Sequence, residues 1–436
     1  MTEVFENVRQ QFDNAPYPRH PLEASPKDTP QTLYKHNCAT AFYYRNRQVI
    51  DPQNLTILDA GCGSGYKALA LALANPGAKI VGVDFSTRSI ELAKKRLQYH
   101  EIKNADFHTL SLEEVANLGI EFDYINCDEV LYLLPDPVIG LQALKSALKP
   151  NGIIRSNLHS QFQRFRYFRA QKLFEMMGLM EENVTDGMAI DLVRDTMNAL
   201  KDFVDLKTYT WGEKLQNNEE GILANFLLRQ DRGYTIPQLF DILDRVGLEF
   251  ISMVSWRQWD VMDLFENPDD LPAFLGLSLP ETSIIERLHL YELIHPNHRL
   301  LDFWCGNPGT SQAKIPIENW THWDKVRVHL HPLLQNSSTK AALEACLRQH
   351  RGFSPSEYLP IPGLSNVFVD SVTATGLLPL FDKPQTMPDL VTFWKKTRPL
   401  NPITLEPTTP TEAFDAVRDL LVTLEDLGFV MLEGTG

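Results

Sequence analysis

Cysteine is scarce in this sequence. Its five copies, Cys38, Cys62, Cys127, Cys305 and Cys346, form no CxxC pair and show no metal-ligand spacing. That argues against a disulfide scaffold and a structural zinc site, and it predicts reduced thiols in the cytoplasm and no bound metal. Long apolar runs are also missing: no stretch reaches the roughly 18 uninterrupted apolar residues of a membrane span. Met1-Thr2-Glu3-Val4-Phe5-Glu6 lacks the basic and apolar regions of a secretory leader. The expectation is a soluble, cytoplasmic protein. Positive charge is the third deficit, with 41 Lys and Arg against 56 Asp and Glu and a formal charge of −15. Such a surface repels a phosphate backbone, which disfavours nucleic acid and leaves small molecules or proteins as the expected substrates. Oligomeric state is not readable from any of this.

What is present is enough chain for more than one domain: 436 residues, 43% of them hydrophobic. Residues 1–50 are rich in proline and aromatics around Pro16-Tyr17-Pro18-Arg19-His20-Pro21, followed by a helix ending near Ile50. They are expected to form a lid segment plus helix. From Leu55 to about Gly152, short apolar runs alternate with helical periods, as in a parallel sheet covered by helices. The expected strands are Leu55–Asp59, Lys79–Asp84, Phe122–Cys127 and Ile153–Leu158. Helices are expected over Tyr66–Ala74, Thr87–Tyr99 with Ser86 as N-cap, and Ile139–Leu148. The run Lys149-Pro150-Asn151-Gly152 reads as a turn.

These patterns divide the chain into a core at 51–159, a mostly helical insertion at 160–233 and a return to the core sheet at 234–262. A C-terminal α+β region of unassigned role follows at 263–436. Within that last region, Leu301-Asp302-Phe303-Trp304-Cys305-Gly306 superficially echoes the first glycine turn and reads as a strand and a turn. Arg164, Arg166, Arg169 and Lys172, among Phe162, Phe165, Tyr167 and Phe168, read as an amphipathic helix with solvated arginines. Trp256 and Trp259 are candidates for an acceptor pocket or for an interdomain plug.

The chemistry is concentrated at Asp59-Ala60-Gly61-Cys62-Gly63-Ser64-Gly65. Between a strand and a helix, side-chain-free positions let backbone N–H groups approach a ligand closely. A dinucleotide fingerprint would need GxGxxG, but the third glycine position is Tyr66, which argues against NAD. Asp84 ends the next strand about 20 residues on, where a carboxylate can accept both ribose hydroxyls of an adenosine.

With those residues in order, the sequence resembles the class I S-adenosylmethionine (SAM) dependent methyltransferase family. Phe122–Leu131 and Leu148-Lys149-Pro150-Asn151-Gly152 resemble that family's fourth strand and its turn into strand five. The resemblance implies an α/β, Rossmann-like sheet of seven mostly parallel strands, carrying a helical insertion and an additional C-terminal α+β region. It implies SAM as cofactor, bound by Asp59, Gly61, Cys62, Gly63, Gly65 and Asp84, with Phe85, Ser111, Leu112 and Cys127 completing the cofactor site. A narrower resemblance is to bacterial methyltransferase-like proteins with an NPYPR-type N-terminal segment, here Asn14-Ala15-Pro16-Tyr17-Pro18-Arg19. Those proteins also carry a later segment matched by Asp231-Arg232-Gly233-Tyr234-Thr235. Their His-His pair after strand four is replaced here by Leu131-Tyr132-Leu133.

Candidates for a base or for acceptor orientation are Asp128, Glu129, His159 and Tyr17, with Arg19 and His20 if the N-terminal segment folds over the cleft. The expected activity is methyl transfer to a small molecule. A protein acceptor gripped by the C-terminal region, or a SAM-binding regulatory or scaffold protein without turnover, are the alternatives.

Overall fold

The computed structural model describes residues 17–181, 184–311, 316–401 and 403–434. Asn14, Ala15 and Pro16 of the NPYPR-type segment lie outside the described residues. The chain forms two compact units, interleaved in sequence.

The first unit contains residues 17–24, Thr56–Ala68 and Ile80–Pro308. Its sheet uses β1 (Thr56–Ala60), β2 (Lys79–Asp84), β3 (Ala105–Thr109), β4 (Phe122–Cys127), β5 (Leu148–Ser160), β6 (Gly233–Tyr234), β7 (Glu249–Met253) and β8 (Leu300–Gly306). The main path runs β3-β2-β1-β4-β5-β8-β7, seven strands, with the two-residue β6 paired onto β5. The β2–β3, β1–β4 and β4–β5 pairs are parallel, while β8 runs antiparallel to both β5 and β7. Ile57 and Leu58 of β1 and Ile80 and Val81 of β2 are fully buried, as suits parallel strands covered on both faces. This is a Rossmann-like α/β fold. Strand order reverses between β1 and β4, and in open α/β sheets such a switch point opens a crevice at the carboxyl ends of the strands.

The expected helices are present with small changes of end. Ser86 Oγ accepts from Ser89 N and caps Thr87–Tyr99, and Asp136 caps Pro137–Ser146. Lys149–Gly152, expected as a turn, lies inside β5, at an irregularity where the register with β4 shifts between Phe122 and Tyr124. A larger difference concerns β8. The region 263–436 reads in the sequence as additional to the core, yet Leu300–Gly306 pairs with Ile153–His159 over seven residues and lies inside the sheet, between β5 and the edge strand β7. Leu301, Phe303 and Cys305 are wholly buried, and the buried Trp304 donates from Nε1 to Tyr124 Oη at 3.1 Å. An antiparallel strand needs no crossover helix before it, so no βαβ pattern announces it.

The segment between β5 and β6 is helical, with helices Phe165–Met176, Asp186–Ala199, Asp205–Thr210, Glu213–Gln216 and Glu219–Phe226 around a small core of Phe174, Val193, Met197, Trp211 and Phe226. Arg166 and Arg169 pair with Asp205 at the surface, as expected of an amphipathic helix. Arg164 departs from that expectation: its side chain is fully buried and paired with Asp231. Trp259 stacks on His298 at 4.4 Å and packs against Tyr291, so it belongs to the core packing of this unit.

The second unit contains Ser25–Leu55, Leu69–Lys79 and residues from Gly309 onward. Its antiparallel sheet is ordered β10-β9-β11, from β9 (Arg327–Leu330), β10 (Gln385–Thr386) and β11 (Val430–Glu433). Trp320, Trp323, Val328, Leu421 and Phe429 build its core with the helices Met387–Thr397 and Pro410–Asp426. The N-terminal helix, expected to end near Ile50, is two helices, Pro30–His36 and Cys38–Asn46. The second belongs to this unit: Tyr43 Oη donates to Glu425 Oε1 at 2.7 Å and accepts from Leu432 N at 2.9 Å. Of the expected lid-and-helix piece 1–50, residues 17–24 therefore belong to the first unit and residues 25–50 to the second.

Candidate active site

The glycine turn after β1 is bent by positive φ at Gly61 (+76°) and Gly63 (+50°), which L side chains adopt at a cost. Space forbids side chains there as well. A Cβ on Gly61 would lie 2.3 Å from Val130 Cγ2, and one on Gly63 would lie 2.1 Å from Tyr17 O. The second contact exists because the N-terminal strap lies across the turn. Ser64 N donates to Tyr17 O at 2.9 Å and Ser64 Oγ to Pro18 O at 2.7 Å. Buried Arg96 holds the rest of the strap, donating from Nη2 to His20 O at 2.8 Å and from Nη1 to Pro21 O at 2.7 Å. From the end of β2, Asp84 accepts from Gly63 N and Ser86 N, each at 2.9 Å, so one carboxylate orders the turn and the next helix start.

Beyond the turn lies a cluster of charges. Lys67, in the first turn of the helix Tyr66–Ala74, reaches Asp128 Oδ2 at 3.0 Å, Glu129 Oε2 at 3.2 Å and Asp128 O at 3.1 Å. Its three N–H donors are thereby matched by three acceptors. Burial alone would lower its pKa, but the two carboxylates outweigh burial and hold it above the ordinary lysine value. Burial would raise Glu129, whereas Lys67 and Arg299 bring it down to about 2. Glu129 also has φ +64°, a left-handed conformation rare outside glycine, and its N–H donates to Asn157 Oδ1 at 2.9 Å. A strained, doubly paired carboxylate at a sheet edge marks a functional position.

Arg299, just before β8, donates from Nη2 to Glu129 Oε1 and from Nη1 to His159 Nε2, the latter at 3.1 Å. On its other side, His159 Nδ1 is 2.6 Å from Asp231 Oδ1. A guanidinium can only donate, so Nε2 is the acceptor and Nδ1 carries the proton given to Asp231. Burial pushes His159 down to about 4, with Asp231 opposing, so the ring is neutral at pH 7. Tyr132 stacks on it at 3.6 Å, and Arg164 and Gln171 complete the shell of Asp231 at 2.8 and 2.9 Å. Behind these residues a polar row crosses the sheet. Asn126 donates to Asp59 at 2.8 Å, and Arg155 donates to Asn126 at 3.2 Å and grips Asp302 at 2.8 and 3.0 Å.

A cleft of about 1570 Å³, its mouth included, runs along this edge. Of the expected cofactor residues, Gly61, Cys62, Gly63, Asp84, Phe85 and Leu112 line it, as do all four catalytic candidates, Tyr17, Asp128, Glu129 and His159. Four expected residues do not. Asp59 is buried beneath the turn, where burial pushes its carboxyl up to about 6. Gly65 lies against Ala93, Cys127 is buried with its carbonyl accepting from Ser156 Oγ, and the Ser111 hydroxyl closes a capping box with Glu114. Trp256 and Trp259 are also outside the lining. Lys67, Tyr132 and Arg299 line the cleft without having been expected there. Asp231 stands out in the sequence only as part of the segment 231–235, and nothing there points to its partnership with His159.

Residues 51–221 match a family described as "Methyltransferase domain". This segment is a class I SAM-dependent methyltransferase domain. A protein of Synechococcus sp. is 29% identical over 338 residues, 76% of this chain and 77% of that one. The ubiquinone biosynthesis O-methyltransferase of Actinobacillus pleuropneumoniae is 34% identical over 103 residues, 22% of this chain and 43% of that protein. The chain therefore spans less than half the length of that second relative. In three dimensions it resembles PKMT2 from Rickettsia typhi, solved in complex with AdoHcy, with TM-score 0.58, 18% identity, and coverage of 92% of this chain and 76% of that one. That likeness is one of fold. The methyltransferase domain uses SAM, and the glycine cradle and Asp84 carboxylate fit such a group. Among the described residues, no helix is long and apolar enough to cross a membrane.

Proposed function

We propose that the chain transfers a methyl group from SAM to a small molecule, and that the strap and the inserted helices form the walls of the acceptor pocket. One observation carries this reading. The cleft is walled rather than open: Tyr17–Arg19 borders it on one side, and Glu220, Leu223 and Ala224 of the helix Glu219–Phe226 border it on another. Arg19 N donates to Glu220 Oε1 at 3.3 Å, joining the two walls.

In this reading Asp84 accepts the ribose hydroxyls, Gly61 and Gly63 admit the cofactor to the backbone, and Phe85 and Leu112 flank the adenine. Ser111, Gly65, Cys127 and Asp59 support the site from outside the cleft. SAM supplies a methyl group on a sulfonium leaving group. The protein's part is to hold the acceptor in line and exclude water. None of the four candidates is poised as a general base: Asp128 is held by Lys67 at 3.0 Å and accepts from Asn157 Nδ2 at 2.5 Å. Glu129 is ionised but pinned between two cations, and the Nε2 of His159 is occupied. Tyr17 is pushed up to about 12 by burial, with Glu129 adding to the effect. Positioning and desolvation therefore account for the rate, without proton abstraction.

The test is incubation with methyl-labelled SAM against a metabolite fraction and a protein fraction. Label in small molecules supports the reading, and label confined to protein would replace it with protein methylation. Tight SAM binding with label in neither fraction would favour a regulatory role. Asp84→Ala should weaken SAM at least about tenfold, the loss expected for charge-assisted hydrogen bonds; unchanged affinity would remove the site assignment.

A further inference from the structure

The cations of the cleft are not equally available. Lys67 has an acceptor for each of its three donors. Arg19, also in the lining, faces Glu219 at 4.0 Å. Arg299 is different. A guanidinium has five N–H donors, and among the described residues two of them are engaged, by Glu129 and His159. Its side chain is 44% exposed and lines the cleft. The group is also aimed. Neutral His159, fixed by Asp231 on one side and the Tyr132 ring on its face, fixes one guanidinium nitrogen, and Glu129 fixes the other.

Its place in the sheet says what it faces. Asp84 ends β2, and the path β2-β1-β4-β5-β8 puts Arg299 four strands away. At roughly 4.8 Å per strand this puts the Arg299 backbone on the order of 19 Å away, and its guanidinium reaches back to Glu129 after β4, still on the far side of the sheet edge from a ribose held at Asp84. The same cleft is lined by the apolar side chains of Val130, Leu133, Leu134, Leu223 and Leu228. Resting on the methyl-transfer reading above, we infer that the acceptor is an apolar molecule with an anionic oxy-acid head, a carboxylate or a phosphate, and that Arg299 grips this head with its unused donors. The planar fork suits two oxygens of such a group. His159 and Asp231 are positioning residues for Arg299. The acceptor's body packs on the leucine wall, which brings its other end toward the methyl group.

The experiment saturates the full chain with S-adenosylhomocysteine and titrates octanoate, octyl phosphate and octanamide by calorimetry. At least one anion should bind about tenfold or more tighter than octanamide, the margin of a charge-assisted fork over a neutral contact. The stronger of the two anions identifies the head group. Arg299→Gln should abolish this preference while leaving S-adenosylhomocysteine affinity within about threefold, which also certifies folding. Arg299→Lys, a point charge without the fork, should keep only part of it. Octanamide binding as well as the anions, a preference that survives Arg299→Gln, or no binding of either anion to the parent protein overturns the inference. S-adenosylhomocysteine failing to bind the parent protein would instead sink the cofactor reading, and this inference with it.

Discussion

His159 Nδ1 donates to Asp231 Oδ1 across 2.6 Å, and both side chains are buried. Such a pair keeps one tautomer and one ring orientation, and its neutral state is part of the fold. Burial sets the folded pKa at about 4 against an ordinary 6.5. The unfolded chain then binds the extra proton first. Stability from this group is complete above pH 6.5 and is lost as pH falls toward 4, by roughly 3 kcal/mol in total. Thermal unfolding of the parent protein and of His159→Gln between pH 4 and 7.5 should show the steeper fall in the parent. Parallel curves would mean that His159 titrates as it does in the unfolded chain.

Removing the cation that unites Asp128 and Glu129 should be costly. Lys67→Met leaves two buried carboxylates with fewer partners, a change worth about 3 kcal/mol at pH 7. The paired Glu129, at about 2 instead of 4.5, contributes stability that is present above pH 4.5 and lost as pH falls toward 2. The deficit of the variant, measured by urea unfolding, should therefore be largest near neutrality and narrow below pH 5. A deficit independent of pH would assign the loss to packing alone.

The strap can be released at one atom. Gly63→Ala places a methyl group where Tyr17 O now lies, so the Ser64–Tyr17 hydrogen bond cannot persist. We expect faster tryptic cleavage after Arg19 and roughly tenfold weaker S-adenosylhomocysteine binding, with the loss of a backbone contact and a wall of the site. Unchanged cleavage and affinity together would show that the strap does not depend on the turn.

Tyr17 should remain a phenol through the working range. With its pKa pushed up to about 12, the absorbance difference between the parent protein and Tyr17→Phe near 295 nm should stay flat until about pH 10.5. The phenylalanine variant should also keep most of the methyl transfer, whereas Tyr17→Ala, which keeps the backbone bond to Ser64 but removes the ring from the cleft wall, should lose more of it. A phenolate signal near pH 8 would restore Tyr17 as a base.

The readable part of the site is the part made by local sequence. Gly61, Gly63 and Asp84 act through backbone geometry and strand position, both of which a strand–turn–helix pattern exposes. The charge cluster is assembled across distance: Lys67 meets Glu129 over 62 positions, His159 meets Asp231 over 72 and Arg299 meets Glu129 over 170. Nothing near Arg164 in the chain distinguishes a buried arginine from a solvated one, and nothing near Arg299 marks it as a cleft residue. Lys67 was closer to reach, because a lysine one turn into the helix after the glycines shares an edge with Asp128. Ser111 misled for a local reason, since a serine three residues before Glu114 satisfies a helix start as readily as it could a ligand. In the fold, the run of strand β8 was legible as a strand but not its place in the sheet, because an antiparallel strand belongs to no βαβ unit that would set its neighbours.

That strand has a consequence for dissecting the gene. Arg155 lies in the centre of the sheet, and burial would drive its pKa down were it not for Asp302, first, and Asp128. Asp302 arrives on β8, well past residue 221 where the methyltransferase match ends. A shorter expression fragment stopping at 221 or 262 would carry a guanidinium in its interior with its main counter-ion missing. On a growing polypeptide the same arginine waits for some 150 further residues to be made before its partner emerges. Any excised piece that keeps this ion pair therefore extends at least through Gly306, and truncation libraries should find no stable end point before it.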